Sequence, residues 1–248
     1  MADPIHQFVI EPIINIQVGS YDLSFTNSSL WMGLAVIASI MLFTISMRDK
    51  ALVPGRAQMA CEMLYQFVAN MVRENLGSKG REYFPLVFTL FMIILMGNML
   101  GLVPYSFTYT SHIIVTGVLA LLIFALVTVI GIVRHGFHFF HLFLPPGVPM
   151  WLAPLVIPLE ILTFLTRPVT LAMRLFANMM AGHLVLKVFA GFSVAMIGAG
   201  GAMAVVGILP ALFNVVFILF EVLIAFLQAY IFAVLCCIYL KDTVEIAH

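Results

Sequence analysis

The sequence predicts an all-α membrane protein. It has one N-terminal spanning helix, a surface amphipathic helix, a spanning hairpin and two long, strongly tilted C-terminal helices, five to six helices in all. Three observations predict this. Of the 248 residues, 63% are hydrophobic and only 9% are charged, against about 25% charged in soluble domains. Apolar stretches of about 20 residues recur, the length that a rise of ~1.5 Å per residue needs to cross a bilayer. Basic residues gather beyond alternate ends of those stretches, as cytoplasmic loops do.

The first 28 residues form an outer N-terminal segment carrying Asp3, Glu11 and Asp22 and no Lys or Arg. It has no basic n-region and no apolar core with a cleavage site, so it reads as neither signal nor transit peptide. Residues 29–47, SLWMGLAVIASIMLFTISM, are the first span. Arg48, Lys50 and Arg56 follow at once and put that end inside and the N-terminus outside.

Residues 56–77 read as an amphipathic helix on the membrane surface. Met59, Met63, Leu64, Phe67, Met71 and Leu76 recur at helical spacing, with Arg56, Glu62, Gln66, Asn70, Arg73 and Glu74 mostly between them. The same pattern also suits a helix in contact with a partner. From Tyr83 to Val133 there is no Asp, Glu, Lys or Arg. The hydroxyl-rich VPYSFTYTS at 103–111 divides that stretch into spans at 84–102 and 112–133. Arg134, His135, His138 and His141 mark a return to the inner face. Those histidines, at spacings of three with no carboxylate nearby, read as a solvated loop end rather than a metal site.

Five prolines, at 145, 146, 149, 154 and 158, predict a re-entrant or bent entry to the next helix. That tilted helix occupies 150–190, its regular part starting near 159. Gly198, Gly200 and Gly201 predict a turn, and the last helix occupies 203–240. Both helices exceed an upright span, so strong tilt is expected. Cys61, Cys236 and Cys237 give no disulfide framework. The adjacent pair reads as lipid-facing or packing sulfur. The whole chain reads as a single integral membrane domain.

Charges at membrane depth are costly and mark ion or substrate paths. At 100° per residue, Thr163, Arg167, Thr170 and Asn178 fall within about 40° of Arg174. Glu160 joins them if the helix continues through Pro168. Ala177 and Ala181 flank this polar stripe and let another helix approach. A strong cation at mid-length suits a facing partner that carries carboxylates. His183 lies nine residues beyond Arg174, on the opposite face. In the last helix Asn214, Glu221 and Gln228 repeat every seven residues and share a face. Glu221 and His183 can then meet between the helices, and an acid and an imidazole can pass protons near neutral pH.

Each residue also has a plainer reading. Arg174 can pair with Glu221 and pin the helices together, although buried pairs stabilise weakly. Arg167, Glu160 and Lys187 can snorkel to the interface. Asn214 and Gln228 can be interhelical hydrogen-bond partners.

The run RLFANMMAGHL at 174–184 resembles the a subunit of the F-type ATP synthase membrane sector. GNMLGLVPY at 97–105, PLEILTFLTRPVTLAMRLFANM at 158–179 and FEVLIAFLQAYIFAVLCCIYL at 220–240 extend the resemblance over most of residues 84–240. It implies that Arg174 is the family's essential arginine, with Asn178 and Gln228 matching its Asn and Gln. Some bacterial members carry Glu at the His183 position and His at the Glu221 position. The exchange here follows mitochondrial members.

The resemblance implies a proton-translocating stator subunit that provides two aqueous half-channels against a rotating c-ring. Arg174 would attract the ring carboxylate and bar a direct leak. His183, Glu221 and Asn214 would line the outer half-channel. Glu160, Arg167 and Thr170 would lie nearer the inner one. Expected partners are the c-subunit ring, peripheral-stalk b subunits, the rest of the complex and membrane lipid, in a bacterial inner membrane. With zero net charge and no basic stripe, nucleic acid is not an expected partner. There is no GxxxxGK[ST] loop, so nucleotide chemistry belongs to partners. No cofactor and no metal are expected.

Three rivals remain at this point. A secondary transporter for a small anion would use Arg174 as counter-ion, but favours an inverted repeat that is not evident. A quinone-site redox subunit would need a pocket that the sequence does not reveal. A structural anchor has no need of so many polar groups at depth.

Overall fold

A computed structural model describes residues 9–15, 17–18, 21–22, 24–48, 54–103, 106–136, 139, 143 and 151–244. Asp3, Lys50, His138, His141 and the prolines at 145, 146 and 149 lie outside the described residues.

Two small antiparallel pairings precede the first span, which the sequence reading did not anticipate. β1 (Pro12–Ile14) pairs with β4 (Phe25–Thr26), and β2 (Gln17–Val18) with β3 (Tyr21–Asp22). Asn27 clamps the base of the outer pairing. Its backbone N–H donates to the Glu11 carbonyl at 3.1 Å, its side-chain Nδ2 to the Val9 carbonyl at 3.1 Å, and its Oδ1 accepts from the Glu11 N–H at 3.3 Å.

The helices follow in the predicted order. They are α1 (Asn27–Ser46), α2 (Arg56–Leu76), α3 (Gly80–Gly101), α4 (Ile113–His135), α5 (Ala153–Gly198), the short α6 (Gly201–Val206) and α7 (Ile208–Val244). Five stretches are long and apolar enough to span a membrane: α1, α3, α4, α5 and Gly201–Lys241. At ~1.5 Å per residue α5 alone covers about 69 Å, twice the ~30 Å of a hydrocarbon core, so an apolar helix of this length lies strongly tilted.

Two boundaries differ from expectation. α5 begins at Ala153, close to the expected 150, runs through Pro158 and Pro168, and continues past the expected 190 to Gly198. Pro154 sits in the first turn, where its missing N–H has no intrahelical partner to lose. The last helix is not continuous from 203. Gly207 stands between α6 and α7 at φ −64° and ψ −17°, and its bare Cα packs on Met196 and Ile197, where a Cβ would meet their side chains at 2.9–3.0 Å. The glycine turn falls as predicted, with Gly200 and Gly201 at positive φ of 72° and 59°.

By contacts the chain falls into two units. One comprises the described residues up to Ile45, Met92–His112 and Leu175–Ala229. Its core holds Met92, Ile94, Leu95, Tyr109, Leu175, Met179 and Ala225. Tyr109 packs into the space left by Gly97 and donates its hydroxyl to the Ile93 carbonyl at 3.1 Å.

The other unit comprises Ser46–Phe91, Ile113–Arg174 and the chain from Tyr230. The apolar stripe of α2 proves two-sided. Cys61, Val68, Met71, Val72 and Leu76 are buried, whereas Met59 and Met63 are exposed. Phe67 packs between Phe91 and Tyr230, and Phe164 gathers Phe124, Phe139 and Phe143. Cys236 and Cys237 are fully buried, so of the two readings it is packing sulfur that holds. Glu82 and Arg134 form an exposed ion pair.

Candidate functional site

The inward stripe of α5 is Leu171, Leu175, Met179 and His183, four residues at successive i+4 steps, all buried. The inward stripe of α7 is Glu221, Ala225 and Gln228. Both follow from apolar periodicity, and each carries polar groups among its hydrophobic ones. A polar group at such a place needs a partner or a function.

His183 and Glu221 are the polar pair that the two helices bring together. His183 Nδ1 lies 3.6 Å from Glu221 Oε1, and the residues are 8% and 4% exposed. Neither Glu221 oxygen has a hydrogen-bond partner among the described residues. Gly182 makes the approach possible, since a Cβ there would stand 2.5 Å from Oε1. On its other edge the imidazole Nε2 meets the Thr108 hydroxyl at 2.9 Å. Thr108 and Gly182 were missed by sequence reasoning. The cluster of hydroxyls at 103–111 was a signal for the first, and the bare Gly beside His183 for the second.

His183 also opens onto a cavity of about 780 Å³, lined among others by Glu11, Asn27, Ser106, Lys187 and Asn214. Half-buried Asn214 thus lines the same cavity as His183, while Glu221 does not. Lys187, expected to snorkel, contributes to the cavity wall. Gln228 is buried further along α7, where its Oε1 accepts from Asn178 Nδ2 at 3.0 Å. Asn98 reaches the Ala225 carbonyl at 3.5 Å and adds a polar contact that the sequence did not suggest.

The rest of the predicted set lies on the outward side of α5. Continuity through Pro168 keeps Glu160, Thr163, Arg167, Thr170 and Arg174 in register. Thr163, Thr170 and Arg174 are exposed, and Glu160 and Arg167 are half-buried. Arg167 lies over the Tyr239 ring at 5.0 Å and the Phe164 ring at 5.8 Å, a stacked position rather than an open one. The Thr163 and Thr170 hydroxyls donate to the carbonyls of Leu159 and Arg167 within the helix. Arg174 makes no ion pair among the described residues. Around it Val169, Met173, Ala177 and Asn178 are exposed as well. An exposed guanidinium on an apolar surface, without an ion-pair partner among the described residues, is costly at membrane depth unless a counter-charge or water reaches it.

This frame has counterparts in known proteins. The ATP synthase A chain family matches residues 29–241. ATP synthase subunit a of Rhizobium etli is 52% identical over 243 residues, 98% of this chain and 97% of that one. The subunit a of Rhodospirillum rubrum is 50% identical over 99% of both chains. That of Mesorhizobium japonicum is 51% identical over 100% of this chain and 98% of its own. Likeness of this extent runs through every spanning helix, and this multi-pass membrane protein belongs to the ATP synthase A chain family, whose work is ion transport in ATP synthesis.

Proposed function

We propose that this chain is the proton-conducting stator subunit of a rotary F-type ATP synthase in a bacterial inner membrane, with its N-terminus outside. It offers two separate aqueous half-channels to a ring of carboxylate-bearing c subunits, and peripheral-stalk b subunits hold it still. The observation that carries this reading is the division of labour on α5. Arg174 is exposed on an apolar surface without an ion-pair partner among the described residues, whereas His183 is buried against Glu221.

In the outer half-channel the cavity supplies water to His183. The order of groups is then cavity, His183, Glu221, because the imidazole lines the cavity and the carboxyl group does not. Glu221 passes the proton towards the ring, with Asn178 and Gln228 lining the route. A ring carboxylate that takes it turns into lipid as the neutral acid. Returning, that carboxyl meets Arg174, whose charge favours the ionised form and releases the proton to the inner half-channel. Glu160, Arg167 and Thr170 lie along that exit. Arg174 also repels protons that would run directly from one half-channel to the other.

The test is ATP-driven pumping and passive proton flux in vesicles carrying the assembled complex, wild type beside Arg174→Ala. Loss of pumping, with or without a passive leak, is expected. Normal pumping would overturn the reading.

A further inference from the structure

We propose that Thr108 is a positioning residue that fixes the proton-bearing nitrogen of His183, so that Nδ1 exchanges the travelling proton with Glu221. The proposal rests on the proton-path reading of the His183–Glu221 pair.

The Thr108 hydroxyl has a single proton to give. Thr108 Oγ1 has two neighbours, the Gly101 carbonyl at 3.2 Å and His183 Nε2 at 2.9 Å. The Gly101 carbonyl only accepts, and its two lone pairs take the Ser106 hydroxyl at 2.9 Å and, in this arrangement, the Thr108 hydroxyl. Oγ1 then offers His183 a lone pair, and in this arrangement Nε2 carries a hydrogen and donates it. The other nitrogen, Nδ1, is left facing Glu221 Oε1.

The surroundings hold Thr108 in this role. It is 7% exposed. Its carbonyl accepts from the Ser111 hydroxyl at 2.6 Å and the Ser111 N–H at 3.1 Å. Its side chain lies on the bare Cα of Gly101, where a Cβ would stand 2.7 Å from Oγ1 and Cγ2. Phe107, the preceding residue, stacks on His112 with ring centroids 5.2 Å apart. A residue so fixed sets the imidazole rather than following it.

The consequence is a pair that holds one mobile proton. With Nε2–H committed to Thr108, that proton sits either on the Glu221 carboxyl or on Nδ1 of an imidazolium. Moving it breaks an O–H bond and makes an N–H bond, and Nε2–H stays in place. Without the proton, a bare Nδ1 lone pair faces a carboxylate, which is repulsive. Among the described residues, the charged or titratable groups facing His183 are Glu221 on α7, Lys187 one turn along α5, and Glu11 across the cavity.

The experiment compares Thr108→Val and Thr108→Ser in vesicles carrying the whole complex, reading ATP-driven pumping against the pH of the compartment that the cavity faces. Thr108→Val keeps the shape and loses the hydroxyl. Its rate is expected to fall about tenfold, the worth of one hydrogen bond at the transition state, with a displaced pH profile. Thr108→Ser is expected to restore both rate and profile. A wild-type rate and profile in Thr108→Val overturns the proposal. So does a Thr108→Ser that is equally impaired, which would mean a packing role.

If Thr108→Val does not assemble, nitrogen NMR of histidine-labelled wild-type complex decides, with His183→Gln identifying the signal. A protonated Nε2 supports the proposal, and a neutral ring protonated only at Nδ1 overturns it. Failure of the proton-path reading is separate, since it appears as normal pumping in Glu221→Gln.

Discussion

The carboxyl group of Glu221 rests on the bare Cα of Gly182, with a Cβ position there 2.5 Å from Oε1 and 3.0 Å from Cδ. Glycine at 182 is therefore a space requirement of the acid on the facing helix, not of the backbone of α5. Gly182→Ala should push the carboxyl group off His183. We expect pumping to fall about tenfold or more, with a stability cost of about 1–3 kcal/mol from overpacking. Proton pumping by the assembled variant checks this. An unchanged rate would mean that the acid has room to swing aside and still serve.

Much of this frame was legible in the sequence, for physical reasons. Lipid demands long apolar helices, so the spans announced themselves, and the bare charge of Arg174 stood out against them. The arithmetic of 100° per residue placed His183 opposite Arg174, and a seven-residue repeat put Asn214, Glu221 and Gln228 on one side of α7. Pairwise contacts across the fold were harder. Thr108 lies 75 residues from His183, and nothing in VPYSFTYTS distinguishes the hydroxyl that reaches it from those that do not. Pro154 falls in the first turn of α5, where a proline costs little, so the helix begins among the prolines and not beyond them. The need for a bare Cα at Gly207 was not legible either, since it comes from Met196 and Ile197 on another helix.

Arg174 should tolerate no replacement, lysine included. The guanidinium keeps its charge in apolar surroundings, whereas a lysine ammonium can surrender its proton there. We expect Arg174→Lys to abolish ATP-driven pumping as Arg174→Ala does, while the complex still assembles. Coupled pumping in Arg174→Lys at more than about a tenth of the wild-type rate would show that any cation suffices.

Tyr109 links alkaline pH to the stability of the segment that carries Thr108. Burial raises its phenol from the ordinary 10 to about 12. A raised value means that the folded state holds the proton more tightly than the unfolded one. The stabilisation is therefore complete below pH ~10 and is lost as pH climbs through about 12. Tyr109→Phe lacks the phenolic proton and the hydrogen bond to Ile93. It should be less stable at neutral pH and lose less between pH ~10 and ~12. Denaturation of the detergent-solubilised protein across that range tests this, and parallel curves for the two proteins would refute it.

The Glu82–Arg134 ion pair should matter little. The side chains are 67% and 36% exposed, so solvent screens the attraction. Glu82→Gln is expected to cost about 0–1 kcal/mol, less at high salt. A larger loss in thermal unfolding would mean that Arg134 depends on Glu82 to hold its place over the Tyr83 ring, 5.5 Å away.

The sharpest prediction concerns exchange of the acid and the imidazole. If the path needs one of each in contact, and not a particular one on a particular helix, the two changes should compensate. His183→Glu alone sets two carboxyl groups against each other. Glu221→His alone sets two imidazoles together. Each should reduce pumping about tenfold or more, because a proton has nowhere suitable to pass. The double exchange restores one acid and one imidazole at the two positions whose side chains now stand 3.6 Å apart. It should recover a large part of the rate, with a coupling between the two sites of about 0.5–3 kcal/mol. Thr108 adds a refinement. In the double variant its hydroxyl meets a carboxyl group at 183, so Thr108→Val should impair the double variant less than the wild type. Four vesicle preparations and their Thr108→Val partners measure both effects. If the double variant is as inactive as the worse single one, the pair acts by position, with the imidazole required on α5. If it pumps well and ignores Thr108, the proton path depends on the acid and the imidazole being together and on little else around them.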